Sequence, residues 1–209
     1  MNEFSVVNLP AREEFQKGIE EFGRREKRDA MYKVATFLIS HFWGKPSDMA
    51  DALGVLLLTW NQAFYRYGLF DFDSLEGCIR ANFDRLQNYR NMDIRGLSIR
   101  NERSVENLFI EFNQALQIAS GKKKGVKSPV ASAKCLHLLA PKTFPLWDDK
   151  IARAYGCFYH EKPSEKYFLF CSITKRIAGE IEDYLDPGEK SIIKLIDEYN
   201  YSKYTKGWI

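Results

Sequence analysis

The apolar positions of this chain recur every three or four residues and hardly ever alternate, so the sequence reads as one helix after another. Residues 11 to 23 form a charged amphipathic segment, and beyond the basic run Arg24, Arg25, Lys27, Arg28 a second segment turns apolar through Ala35, Phe37, Leu38, Ile39 and Phe42. Gly44 and Pro46 end it. Ser47 fits the N-cap of a third helix, whose Leu53, Leu56, Leu57, Trp60 and Phe64 have the spacing of a buried stripe, making it the expected central core helix. Tyr67-Gly68 stops that run. Asp73-Ser74-Leu75-Glu76 has the spacing of a capping box for a helix to about Tyr89, with Leu75, Ile79, Phe83 and Leu86 on one side. Arg80, Asn82, Arg85 and Arg90 fall elsewhere, as a solvated face does.

After a connector, Ser104 fits the cap of a helix over 104 to 120, carrying Leu108, Phe112, Ala115, Leu116 and Ala119. Gly121 and Gly125 bracket three lysines, and Ser128-Pro129 supplies an N-cap followed by proline at the first helical position. That helix stops before Pro141, which cannot continue it. Asp148 stands where a helix from Asp149 has its N-cap. A long helix from about Ser164 to Leu185 carries Phe170, Ile173, Ile177, Ile181 and Tyr184, and a last one runs from about Gly188 to Tyr199 into an aromatic, basic tail. The expected architecture is all-α, eight to ten helices in one compact body over residues 1–209, in one lobe or two.

Composition narrows the classes. With 209 residues, 45% hydrophobic and 28% charged, the chain has the makings of a sizeable core. A net charge of +3 permits a polyanionic partner without demanding one. Cys78, Cys135, Cys157 and Cys171 form no C-x-x-C pair, and His41, His137 and His160 have no ligand spacing, so neither a metal site nor a cofactor is expected. The N-terminal residues lack the basic and apolar regions of a signal peptide, and the longest apolar stretch, Ala52 to Leu58, is too short to cross a bilayer. A cytoplasmic protein with reduced thiols is expected.

The candidate chemistry lies between Gly121 and Tyr159. Lys122, Lys123, Lys124 and Lys127, with Gly125 and the helix start at Ser128, make a turn suited to approaching a phosphate, or else a solvated loop. Asp148 is a helix cap whose carboxylate, held ionised, can offset a developing positive charge. Asp149 reads as a surface charge. Lys134 breaks the apolar run of its helix and shares a face with His137. Partly buried, it is a candidate amine nucleophile; otherwise its stem carries the charge out to solvent. His137 reads as a satisfied core histidine. Of the aromatics, Trp147 adjoins Asp148 and is the foremost candidate to line a pocket for a base.

The order of a helix, the hairpin GVKSPVA, the small-residue helix SAKCLHLL and FPLWD opening another helix resembles the helix-hairpin-helix superfamily of DNA base-excision glycosylases, over about residues 104–156. The resemblance implies a multi-helical helix-hairpin-helix glycosylase-like bundle that grips DNA through hairpin main-chain amides at Gly125 and Val126. It matches Asp148 to the aspartate that serves cleavage of the glycosidic bond. The lysine of bifunctional members falls on Pro129 or Val130 here, leaving Lys134 out of that register, and the second hairpin glycine is replaced by Lys127. The implied function is hydrolysis of the N-glycosidic bond of a modified or damaged base in DNA, with lyase activity less favoured; the alternative is a non-enzymatic nucleic-acid-binding or protein-interaction module on the same scaffold.

Overall fold

Helix boundaries in this chain are set by capping chemistry and by side chains that compete with the backbone ladder. The computed structural model describes residues 9–185, 188 and 190–209. The reading of the N-terminus falls mostly on residues 1–8, outside the described residues. Among those described there are eleven α-helices and no strand: α1 (Arg12–Arg25), α2 (Ala30–His41), α3 (Pro46–Trp60), α4 (Gln62–Tyr65), α5 (Phe72–Ala81), α6 (Phe83–Arg90), α7 (Glu102–Ala115), α8 (Pro129–Leu139), α9 (Asp149–Ala154), α10 (Pro163–Glu182) and α11 (Ile192–Asn200). A π-helical turn, Tyr201–Thr205, follows α11. The all-α expectation holds.

Two predicted caps form where expected, and a third lies two residues earlier. Ser128 Oγ accepts from Ala131 N at 3.2 Å, with Pro129 at the first position of α8. Asp148 Oδ1 accepts from Ile151 N at 2.8 Å and opens α9. Ahead of α5 the cap is Asp71, which takes Ser74 N at 3.1 Å, and not Asp73. Lys45 precedes α3 with Pro46 first in the helix, displacing Ser47 inward. The segment before α7 is closed by Ser98 and Asn101, so Ser104 lies inside a helix already begun at Glu102. The last helix begins at Ser191, whose Oγ accepts from Lys194 N at 3.2 Å, rather than near Gly188.

Two predicted helices are broken by asparagines with distant partners. The core stripe ends at Asn61, and the segment meant to run to Tyr89 is cut at Asn82, whose amide Nδ2 donates to Cys78 O at 2.9 Å and to Glu111 Oε2 at 2.6 Å. The helix expected to reach residue 120 ends at Ala115. Ile118 N and Ala119 N donate instead to Val126 O at 2.9 Å and Leu69 O at 2.8 Å, tying the lysine turn to the loop around Leu69. The solvated arginine face also needs correction. Arg90 lies 4.1 Å over the Trp43 ring and donates to Leu139 O at 3.0 Å and Ser40 Oγ at 2.9 Å, while Arg85 pairs with Glu111 and Asn82 is buried.

One connected cluster of buried apolar side chains runs from Phe15 to Tyr199. Its centre is α8, a helix of small and aliphatic residues against which α2, α3 and α7 pack. Phe109 and Phe112 of α7, Leu136 and Leu139 of α8, and Phe170 of α10 are fully buried. Gly54 permits the close approach of α3 and α5, since a Cβ there meets the Phe72 ring. No helix of the described residues is long and apolar enough to cross a membrane.

Candidate functional site

A cleft of about 170 Å3 opens where α1, α2, α3, α8, α11 and the loop before α9 converge. It holds both Lys134 and Asp148. Lys134 is the one charged residue of α8, whose other residues are apolar, small or, like His137, neutral, and Asp148 is fixed by its capping bond.

Lys134 does not run out to solvent. Its Nζ donates to Trp60 O at 3.0 Å and Asn61 Oδ1 at 3.0 Å and lies 5.0 Å from the centre of the Trp60 ring. Burial lowers its pKa to about 8, against the opposing pull of Asp148 and Asp197. In the neutral amine, two N–H groups directed at those acceptors leave the lone pair free to face the cleft. The end of α3 at Trp60 therefore has a chemical consequence: the helix stops where its last carbonyl and the following asparagine receive the lysine. Asn61 also donates Nδ2 to Ser128 Oγ at 3.1 Å, so one side chain joins the cap of α8 to a lysine about one and two-thirds turns later, about 9 Å along the axis.

Asp148 is held at both oxygens. Oδ1 caps α9 and Oδ2 accepts from Thr205 Oγ1 at 2.6 Å, bringing the C-terminal turn against the site. Asp149 pairs on the surface with Arg153 at 2.8 Å. Trp147 lines the cleft but is 1% exposed, donating Nε1 to Pro129 O at 3.3 Å and stacking on Phe170 at 5.8 Å. A buried indole must satisfy its donor and bury its faces, so the ring free to meet a ligand is the half-buried Trp60.

The opposite wall is one that the sequence reading does not single out. Lys194 of α11 is buried; its Nζ lies 2.9 Å from Asp29, 3.5 Å from Asp197 and 3.7 Å from Glu198, and 4.3 Å over the Tyr32 ring. Burial pushes Asp197 up to about 6, although Lys194 opposes this, while the surrounding carboxylates outweigh the burial of Lys194 and raise its pKa. Asp29 occupies the left-handed region, with φ 39 and ψ 42. The sequence carries one signal for this wall: a lysine in the otherwise apolar run Ile192-Ile193-Lys194-Leu195-Ile196.

The lysine turn is a separate surface at the start of α8. Lys122, Lys123, Lys124 and Lys127 are exposed, and Gly121 and Gly125 adopt φ of 79 and 83 that suit glycine. The Gly125 amide donates to Ile118 O at 2.8 Å and the Val126 amide to Lys123 O at 3.0 Å, so neither is free for a phosphate, and contact with an anion at this turn falls to the ammonium groups. Exposed Tyr67, Leu69 and Val126 flank it. His137 is fully buried between Phe144 O at 2.7 Å and Tyr32 Oη at 3.1 Å, as a core histidine should be. The four cysteines are free, and among the described residues no group of three His, Cys, Asp or Glu is disposed to hold a metal ion.

Neither a protein-family model, nor a curated protein, nor a solved structure matches this chain.

Proposed function

We propose that this protein cleaves the N-glycosidic bond of a base in DNA, as its resemblance to helix-hairpin-helix glycosylases implies, with the lysine turn against the backbone, the base in the Lys134–Asp148 cleft, and Lys134, outside the register of that superfamily's lysine, as the nucleophile. The observation that carries the reading is the convergence of an amine near neutrality and a doubly held carboxylate in one pocket sized for a single ring system. As the C1′–N bond lengthens, its electron pair leaves with the base and positive charge builds on the sugar. Asp148 offsets that charge from a fixed position, without reorganising. The Lys134 lone pair captures C1′, and the proton shed by the amine goes to the departing base. The adduct opens its sugar ring, O4′ taking a proton as the C1′=N imine forms; borohydride reduces that imine, and water otherwise hydrolyses it and returns the lysine.

The test uses duplex and single-stranded oligonucleotides carrying a panel of modified bases, with borohydride present to trap the adduct. Base release is expected from at least one substrate, with a trapped adduct that grows from pH 6 to pH 9, vanishes in Lys134→Met and falls at least about 100-fold in Asp148→Asn, the usual scale for removing a charge-stabilising group. If no substrate yields free base or adduct, and both variants bind DNA as the parent does, the enzyme reading is wrong and the cleft is structural.

A further inference from the structure

The cleft carries a second kind of information, in the direction of its hydrogen bonds. His137 Nδ1 lies 2.7 Å from the Phe144 carbonyl oxygen, which can only accept, so Nδ1 carries the proton. Burial holds the imidazole down to about 4, so the ring is neutral and Nε2 is bare. Tyr32 Oη, 3.1 Å away, must then donate its proton inward to Nε2. What the Tyr32 oxygen has left for the cleft is lone pairs. Burial, reinforced by Asp197 and Asp29, raises the phenol pKa and keeps that proton in place.

Lys194 beside it is equally committed. Its ammonium lies 2.9 to 3.7 Å from three carboxylates, those of Asp29, Asp197 and Glu198. Each of the two aspartates lining the cleft has lone pairs beyond the ones that face the lysine. Asp29 reaches this position from a left-handed backbone that costs about 1 kcal/mol or more for a non-glycine residue, a conformation that persists where the surrounding structure fixes a side chain in place.

We infer that the Tyr32–Asp29–Asp197 end of the cleft selects a base that presents an amino group, as adenine and cytosine do, over its oxo counterpart. An exocyclic amine brings two N–H donors to these remaining lone pairs. A carbonyl oxygen there sets lone pair against lone pair and leaves the protein's acceptors unpaired, the kind of mismatch that discriminates most strongly. The inference rests on the proposed function in taking the ligand to be a nucleobase. It goes beyond it in assigning Tyr32, Asp29 and Asp197, on the wall opposite Lys134, to recognition.

Binding of the free bases separates the two. Adenine against hypoxanthine and cytosine against uracil are titrated into the full chain by saturation-transfer NMR, in the parent, Tyr32→Phe and Asp29→Asn. Asparagine tolerates the left-handed backbone and replaces acceptor oxygen with an N–H donor. The amino base of each pair is expected to bind about 10-fold more tightly or better, as one well-made hydrogen bond and one avoided clash imply, and the ratio to fall below about 3-fold in both variants. Nitrogen NMR of His137 should show the proton on Nδ1. Equal or tighter binding of the oxo bases, no binding of either kind, a ratio unmoved in both variants, or a proton on Nε2 overturns the inference. Amino-base binding without cleavage of any oligonucleotide refutes only the glycosidic chemistry, whereas cleavage without an amino preference refutes only the selectivity.

Discussion

Replacing Lys134 by methionine isolates the cost of placing an amine in this cleft. The ordinary lysine value is 10.5 and the native one about 8. That gap corresponds to a charge penalty of about 3 kcal/mol on the folded state at neutral pH. Methionine fills much of the same space and removes the penalty, but Trp60 O and Asn61 Oδ1 lose their donor at a cost of about 1 kcal/mol each. The variant should therefore be about 1 kcal/mol more stable than the parent at pH 7. The sign with pH follows from linkage: between about 8 and 10.5 the native state binds fewer protons at this site than the unfolded chain, so the parent gains on the variant as pH rises. Below about 8 the penalty is fully present, and above 10.5 it is gone. By then the variant should be about 2 kcal/mol less stable, so the two urea-denaturation curves, followed by circular dichroism from about pH 6 to 10.5, must cross. A stability difference that stays flat with pH, or a variant already less stable at pH 7 by about 2 kcal/mol, refutes the claim that the amine is desolvated.

Two further outcomes follow from contacts elsewhere. Changing Lys122, Lys123 and Lys124 together to Ala should leave the melting temperature unchanged, because the three are exposed, and should flatten the dependence of log K for duplex DNA on log salt by about 0.9 for each phosphate that is no longer neutralised; an unchanged slope takes these lysines out of any DNA interface. Arg90→Ala, which strips two hydrogen bonds and the stack on Trp43, should cost about 2 kcal/mol in urea denaturation, and a loss within about 0.5 kcal/mol would restore Arg90 to the solvated face.

What could be read from the sequence was what local chemistry decides. Ser128-Pro129, the stop before Pro141 and the Asp148 cap are set by residues within four positions of one another, and they place α8 and the start of α9 correctly. The breaks at Asn61 and Asn82 are illegible for the opposite reason. Each asparagine satisfies a side chain far along the chain, Ser128 and Glu111 respectively, and periodicity carries no trace of such a partner. Lys134 is recognisable as an anomaly in an apolar run, but its direction is not, since inward or outward depends on whether α3 ends with a free carbonyl beside it. Trp147 stands out by adjacency to Asp148 in sequence, and burial of its ring leaves Trp60, far away along the chain, as the aromatic wall. The Tyr32 wall stays hidden because it is assembled from α2 and α11, at opposite ends of the chain.

The distribution of energetic costs supports the proposal that the cleft binds a ligand. Lys134 is desolvated, Asp197 is held above its ordinary range, Lys194 is buried among carboxylates, and Asp29 occupies a conformation unfavourable to any residue but glycine and its closest mimics. All four line one cleft. Buried ion pairs are commonly no more stabilising than apolar side chains of the same volume, so a chain under pressure only to fold gains little by gathering these groups. Outside the cleft, Lys162 is the other described non-glycine residue with a left-handed backbone, and throughout the described residues no buried side-chain nitrogen or oxygen lacks a partner. Desolvated charges gathered at one opening are what a preorganised binding or catalytic pocket requires, because the protein has met the cost of orienting its charges before any ligand arrives.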